Sequence, residues 1–420
     1  MSGTSRVLLA LALGALIGLG LAWMDPDIAT RVADVVHPFG RLWLNALQMT
    51  VVPLVLALVV VGVSTAADAA SSGRIARNAI LVFIALLALA AVFTAIAAPA
   101  LLSLLPHDPG LAVALGGGAS ETAALPAPAG WSQWVTGIVP SNAVEAAASG
   151  AMLPLVVFAL FFGFALTRIE APRRALMVEF FQALADAMIM IVRWVLWAAP
   201  VGVFALILTV TARAGLSMLS ALGIYIALQC LLYLTVTVAM VLVAVVWGGE
   251  SIRRFAAAIA PAQVVAASTQ SSLASLPAML EVANDRLRYP RQISGLVLPM
   301  AVTLFRITSP VQYLSAAAFI AWAYGIDLGV AQLAAGCALA VVISLGSVGL
   351  PGQVSYMATN LPVAQAMGLP VAPLGLLLAV DTIPDVFATL GNVTADLAAT
   401  SIVARTARGD AVPPGARNES

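Results

Sequence analysis

Lysine is missing from this 420-residue chain, and charged residues of all kinds make up only 9% of it. A soluble domain is usually about a quarter charged, so so little charge cannot clothe a water-facing surface. All 19 basic residues are Arg, 19 acidic residues balance them, and no basic tract suggests a nucleic-acid partner. Cysteine is almost absent too. Cys230 and Cys337 lie in separate apolar segments, which fits neither a disulfide framework nor a metal cluster, and they read as small buried hydrophobes. Histidine is equally scarce, with only His37 and His107, both beside loops. With no His base inside an apolar segment and no HExxH, an intramembrane hydrolase cannot be assembled. Nothing here points to an enzyme, a cofactor or a resident metal.

What the chain has instead is apolar length: 62% of it is hydrophobic and its mean hydropathy is +1.04. It reads as an all-α integral membrane protein in a lipid bilayer. The first apolar run, Val7 to Met24, lacks a small-residue cleavage site before the polar MDPD, so it reads as a first membrane helix and not a cleaved signal. Eight segments are expected to span: Val7 to Met24, Leu42 to Thr65, Ile75 to Leu105, Met152 to Leu166, Ala187 to Thr211, Leu216 to Trp247, Gln292 to Tyr324 and Leu374 to Thr406. Two more apolar regions, Phe255 to Asp285 and Val330 to Val371, are interrupted midway by SSLASLP and SLGSVGLPG. Broken backbone is tolerated at membrane depth only where it is buried in protein or lines a polar cavity, and paired broken segments are a pointer to a solute site. Both are expected to be re-entrant hairpins.

The last segment organises the rest. It is long enough to cross a bilayer, yet it carries Asp381, Asp385, Asn392 and Asp396, which with Thr389 fall within an arc of roughly 80° on one helical face. An Asp near mid-membrane costs roughly 2.5 to 3.5 kcal/mol, so three facing lipid would cost about 8 to 10 kcal/mol. The carboxylates must look into protein. Pro384, between the first two, removes a backbone donor and frees a carbonyl at the same depth.

Arginine placement predicts the topology. With the N-terminus cytoplasmic and both hairpins re-entrant, one side receives fourteen Arg and the other only Arg31, Arg41 and Arg213. That split puts both termini in the cytoplasm. The Pro/Gly/Ala-rich loop from Pro106 to Pro140 then lies outside, residues 409–420 form a disordered cytoplasmic tail, and Trp43, Trp131, Trp134 and Trp247 read as interface anchors.

These residues resemble the dicarboxylate/amino acid:cation symporters, the family of bacterial and archaeal glutamate transporter homologues. MTVVPLVLALVVVG is similar to the family's second helix, IVPSNAVEAAASGAMLPLVVFALFFG to its fourth and APVGVFALI to the end of its fifth. SSLASLP and SLGSVGLPG resemble the tips of its two hairpins, and DTIPDVFATLGNVTADLAATSIVART its final helix. The resemblance implies eight transmembrane helices plus two re-entrant helical hairpins in an elevator fold within the inner membrane. It also implies a homotrimer whose scaffold is mainly residues 1–250, with the third and sixth helices flanking a transport core at 251–408. It implies substrate contacts at Ser271, Ser272, Ser309, Gly349, Asp385, Thr389 and Asn392, with Asp385 meeting a substrate ammonium and Asn392 its α-carboxylate.

Two departures bear on function. Where sodium-using members carry an NMDGT-type motif, this chain reads Phe305, Arg306, Ile307, Thr308 and Ser309. Sodium needs several oxygen ligands, and Phe305 and Ile307 offer none. In the third helix, the positions that supply further sodium oxygens read Ala85, Ala88 and Leu89. Arg306 stays charged inside a membrane segment, so it is expected to pair with Asp381, Asp385 or Asp396 and to supply in covalent form the charge a sodium ion brings in relatives. Coupling would then pass to protons on the acidic cluster. The second departure is Ala388, where the family holds an Arg for a side-chain carboxylate.

The expectation is a symporter for a small solute, an amino acid or a dicarboxylate, with a neutral amino acid favoured and a proton preferred to sodium. If Arg306 itself reaches a carboxylate, a dicarboxylate or acidic amino acid is restored. Arg306, Asp381 and Asp396 are the coupling or charge-compensating set; a purely structural role for the two acids, fixing a helix pair, is the plain alternative. A channel, an uncoupled exchanger and a non-transporting sensor of the same fold are the other classes.

Overall fold

A computed structural model describes residues 3–71, 73–106, 136–346 and 352–410. Among them the regular structure is helical throughout. In chain order the helices are α1 (Gly3–Met24), α2 (Pro26–Gln48), α3 (Val51–Ser71), α4 (Arg74–Leu102), α5 (Ala143–Ala148), α6 (Met152–Leu166), α7 (Ala171–Trp197), α8 (Ala199–Ala214) and α9 (Leu216–Val246). There follow α10 (Ile252–Thr269), α11 (Ser272–Glu281), α12 (Arg291–Leu304), α13 (Thr308–Tyr324), α14 (Val330–Gly346), α15 (Gly352–Ala366), α16 (Leu374–Val380) and α17 (Thr382–Asp410).

Among the described residues, seven stretches are long and apolar enough to cross a membrane: Ser5–Met24, Pro26–Ser71, Arg74–Leu102, Ala171–Trp197, Leu219–Val246, Arg291–Tyr324 and Thr382–Ala407. Each overlaps an expected span. The eighth expected segment, Met152–Leu166, is a helix of 15 residues, and its rise of about 22 Å falls short of a 30 Å hydrocarbon core.

Four prolines coincide with breaks in the long apolar segments, whereas Pro38, Pro99, Pro261, Pro277, Pro299 and Pro362 lie inside continuous helices. A proline lacks the N–H that would bond four residues back, and its ring clashes with that carbonyl. Pro53 thus marks the turn at Met49–Thr50 between α2 and α3, Pro200 the break at Ala198, Pro310 the gap between α12 and α13, and Pro384 the break at Asp381 between α16 and α17. The second span starts well before the expected Leu42, because Asp25 caps α2 by accepting from Asp27 and Ile28 N–H, and Pro26 suits the first turn. Ala29, Ala33, Gly40, Trp43, Leu44 and Leu47 then form its buried face. The fifth likewise begins at Ala171 and not at Ala187.

Two sets of helices pack around one continuous core. α8 lies against α1 and α2, and α3 against α6 and α7. In the other set α9 and α10 lie along α17, and α4 along α13. α11 folds back on α10, and α15 on α14. The first of these turns is tighter than SSLASLP suggests. Gln270 alone adopts a left-handed conformation (φ 51°) and closes α10, Ser271 caps α11, and Ser272 to Pro277 are helical. Of SLGSVGLPG, residues 347–351 lie outside the described residues, as do Gly349, His107, Trp131, Trp134 and the tail 411–420.

Candidate functional site

α17 carries the acidic face inward. Asp381, Asp385, Thr389, Asn392 and Asp396 are all buried, as the cost of exposing them to lipid requires. Asp381 occupies the break itself: its N–H bonds back three residues to the Leu378 carbonyl at 3.3 Å, and the helix restarts at Thr382. Its Oδ1 accepts a hydrogen bond from Gln312 Nε2 at 2.9 Å, while its Oδ2 is enclosed and bonded to nothing. Asp396 is 0% exposed and neither carboxylate oxygen has a hydrogen bond. Thr389 Oγ1 donates to the Asp385 carbonyl at 2.9 Å.

The gap between α12 and α13 lies against this face. Phe305 is extended (φ −127°, ψ 92°), and α13 restarts at Thr308. The Thr308 N–H and Oγ1 both donate to Asn392 Oδ1, at 3.1 and 3.0 Å, and Oγ1 also approaches the Ala388 carbonyl at 3.3 Å. Asn392 is thereby oriented with Oδ1 occupied, and its Nδ2 is enclosed with no partner. Gly391 permits the close approach, since a Cβ there would lie 2.7 Å from Thr308 Cγ2. Gly391→Val is therefore expected to separate α17 from the gap and destabilise the protein by about 1–3 kcal/mol. Thermal unfolding of the detergent-solubilised variant checks it, and an unchanged melting temperature would refute the seating.

Arg306 is 9% exposed and sits inside the gap. Its charge acts on both Asp381 and Asp396. Phe305 and Ile307, on either side, are fully buried, and the Phe305 ring stacks on Phe83 of α4 with centroids 4.8 Å apart and planes 9° from parallel. This corrects the expected register in α4. Ala85 and Leu89 face outward, and the buried set with the same i, i+3, i+4 spacing is Phe83, Leu86 and Leu87. The chemical conclusion is unaltered, because these side chains also lack oxygen.

The α10–α11 turn meets α17 from the side. Gln270 Nε2 donates to the Thr382 carbonyl at 3.3 Å, which brings the turn to the Asp381–Asp385 end of the helix. Ser271 Oγ caps Ala274 N–H at 3.3 Å, and Ser272 is buried. Ser309, also buried, is in the first turn of α13, its N–H bonded to the Arg306 carbonyl at 3.0 Å. The α10–α11 turn, the α12–α13 gap and the first part of α17 thus meet, while Asp396 lies 15 residues past Asp381, about 22 Å along α17, and Gly349 lies outside the described residues.

Sequence reading missed a polar chain behind Asp381. Gln229 Nε2 donates to Tyr225 OH at 2.9 Å, and Tyr225 OH shares a 3.0 Å bond with Tyr356 OH. The signal was present: Tyr225 and Gln229 are four residues apart on the otherwise apolar α9, hence on one face.

Chemically, the cluster offers a carboxylate for a cationic group, an amide donor for an anion, and a fixed guanidinium between buried acids. A family model described as the sodium:dicarboxylate symporter family matches residues 4–406. The chain is 29% identical over 410 residues to the proton/glutamate-aspartate symporter of Escherichia coli (strain K12), covering 95% of this chain and 92% of that one. It is 27% identical over 414 residues to the proton/sodium-glutamate symport protein of Bacillus subtilis (strain 168), covering 96% and 92%. It is also 25% identical over 408 residues to the C4-dicarboxylate transport protein of the same organism, covering 96% and 93%.

Proposed function

We propose, from the premise that the chain belongs to the sodium:dicarboxylate symporter family, that it carries a small amino acid or dicarboxylate across the cell's inner membrane with a proton and not with sodium. The coarser part needs no proposal: a chain of this family with seven such apolar helices is a multi-pass membrane transport protein. The observation that carries the coupling reading is the gap at Phe305–Ile307. Two apolar side chains flank a buried guanidinium there, Phe305 is stacked on Phe83, and the neighbouring acids lie within reach of the Arg306 charge. Such a place supplies no side-chain oxygen for a hard cation and already holds a positive charge.

The cargo is read from Asp385, Asn392 and Ala388. Asp385 would meet an ammonium and the spare Nδ2 of Asn392 a carboxylate, while Ala388 offers nothing to a second carboxylate; a neutral amino acid fits best. The second reading, a dicarboxylate or acidic amino acid held by Arg306, is favoured by the burial of that guanidinium beside the site and by the names of the relatives. For movement, α11 supports a re-entrant hairpin: its 10 residues rise about 15 Å, half a hydrocarbon core. The packing of α9 and α4 onto α17 and α13 supports a transport core at 251–408, carried elevator-fashion against a scaffold drawn mainly from 1–250. A homotrimer with both termini cytoplasmic completes the proposal.

The test is uptake of labelled amino acids and dicarboxylates into proteoliposomes. An inward proton gradient is expected to drive accumulation against the solute gradient, with sodium making no difference. Accumulation that requires sodium would overturn the coupling reading; ohmic current, strict one-for-one exchange, or binding without flux would point to a channel, an exchanger or a sensor.

A further inference from the structure

Away from the candidate site, at an arginine-rich end of the helices, a cavity of ≈ 670 Å³ opens where α9, α10, the approach to α12 and α17 meet. Ser401 on its wall is 16 residues past Asp385, about 24 Å along α17. Arg254, Arg288 and Arg405 line the cavity, against the single carboxylate of Glu250. Two of the three are held in place by backbone. Arg254 Nη2 donates to the Leu287 carbonyl at 3.1 Å, and Arg405 Nη1 to the carbonyls of Val246 and Trp247 at 3.2 Å each. A guanidinium has five N–H donors, so Arg254 and Arg405 have donors beyond those these bonds use. Gly248 and Gly249 keep this wall thin: a Cβ at Gly248 would lie 2.0 Å from Ser401 Oγ, and Gly249 is left-handed (φ +75°) beside Arg405.

Two further donors face the same space. Tyr289 lines the cavity and is 5% exposed, and its enclosed hydroxyl makes no hydrogen bond of good geometry among the described residues, with Glu250 and Ser401 at the margin of hydrogen-bonding reach. Burial, and after it the adjacent Glu250 carboxylate, push the phenol above its ordinary range, so it remains a protonated donor. Ser251, also on the wall, caps α10 by accepting from Arg254 N–H at 3.4 Å, which puts the positive end of an 18-residue helix at the cavity. An enclosed hydroxyl without a partner is costly unless something occupies the space it faces. Three guanidinium groups, one phenol and a helix N-terminus select a compact, multiply charged oxyanion.

We propose that this cavity binds a phosphate-bearing anion, either free phosphate or the headgroup of an anionic phospholipid, through Arg254, Arg288, Arg405 and the Tyr289 hydroxyl. Its occupant ties α9, α10 and α17 together at one end, independently of what the acidic site carries.

The test is the melting temperature of the full-length protein in uncharged detergent, titrated with sodium phosphate against sodium chloride of equal ionic strength, and separately with phosphatidylglycerol against phosphatidylcholine. A saturable rise is expected with phosphate, with phosphatidylglycerol, or with both; phosphate alone marks a soluble anion and phosphatidylglycerol alone a lipid headgroup, and each supports the site. The diagnostic variants are Arg288→Gln, expected to raise the half-saturating concentration at least tenfold, and Tyr289→Phe, expected to raise it about threefold. Arg253→Gln, outside the cavity lining, is the control and is expected to behave as the parent protein. No saturable shift with either anion, a shift reproduced by chloride, or equal titrations for the parent, Arg288→Gln and Tyr289→Phe would each overturn the proposal.

Discussion

Arg306→Met is expected to lower the melting temperature of the solubilised protein by about 10 °C and to abolish uptake, and adding Asp396→Asn is expected to restore most of the stability. Asp396 is wholly enclosed, and no hydrogen bond reaches either of its oxygens. Burial is the larger influence on it, and the nearby Arg306 charge offsets part of that cost. Removing one partner of a buried pair leaves the other uncompensated and costs about 3–5 kcal/mol, and for a large chain each kcal/mol is worth roughly 2–4 °C. Asn in place of Asp396 keeps the shape and removes the stranded charge, so the two substitutions compensate. Asp381 is less exposed to the loss, because Gln312 already holds one of its oxygens. Melts should be compared at one scan rate, since membrane proteins commonly unfold irreversibly. If Arg306→Met melts with the parent protein, or if Asp396→Asn lowers it further, the guanidinium does not compensate these acids.

The acidic face of α17 was legible because it is a periodic signal: five polar residues at helical spacing in an apolar run have only one inward arrangement. The gap at Phe305–Ile307 was recognisable as a departure from a motif, but not as an unwound segment. Its cause is local and also readable, since Pro310 forbids a helical bond to the Arg306 carbonyl. Register in α4 was not legible. Every residue from Ile80 to Ala91 is apolar, so no polar face orients the helix, and only the Phe83–Phe305 stack fixes which side turns inward. The α10–α11 turn shows the opposite failure. Ser and Pro in SSLASLP suggested an interruption across that stretch, whereas a single left-handed Gln270 and the Ser271 cap suffice to reverse the chain. Composition marked the neighbourhood of each break, and backbone bonding chose the residue.

The same bonding explains why the site can be rigid although two of its helices are broken. The helices interrupted near Pro310 and Pro384 are tied from the side: Thr308 reaches across to Asn392, Gln312 to Asp381 and Gln270 to the Thr382 carbonyl. Three elements are thus cross-linked at the places where each lacks its own ladder, and the polar groups that remain unspent, Asn392 Nδ2 and the oxygens of Asp381 and Asp396, are collected between them. Pre-organised polar groups of this kind lower the cost of ordering a bound solute.

Asp385→Asn tests what that solute is. The substitution keeps the side chain's shape, and Thr389 bonds the Asp385 backbone carbonyl and not its carboxylate, so the local helix is retained. Asp385 also repels Asp381, so the melting temperature is expected to stay level or rise slightly. Binding should change far more. Truncating one partner of a buried charge pair costs about 2–5 kcal/mol, a factor of roughly 30 to several thousand in affinity. If the carboxylate receives an ammonium, neutral amino acids are expected to lose at least about 100-fold in competition binding, while a dicarboxylate without an amine is expected to bind within about threefold of the parent protein. An equal loss for both ligands would remove Asp385 from ammonium recognition. A dicarboxylate that binds the parent protein well, and is lost only when Arg306 is replaced in a still-folded protein, would transfer substrate recognition to the guanidinium and reverse the order of the two cargo readings.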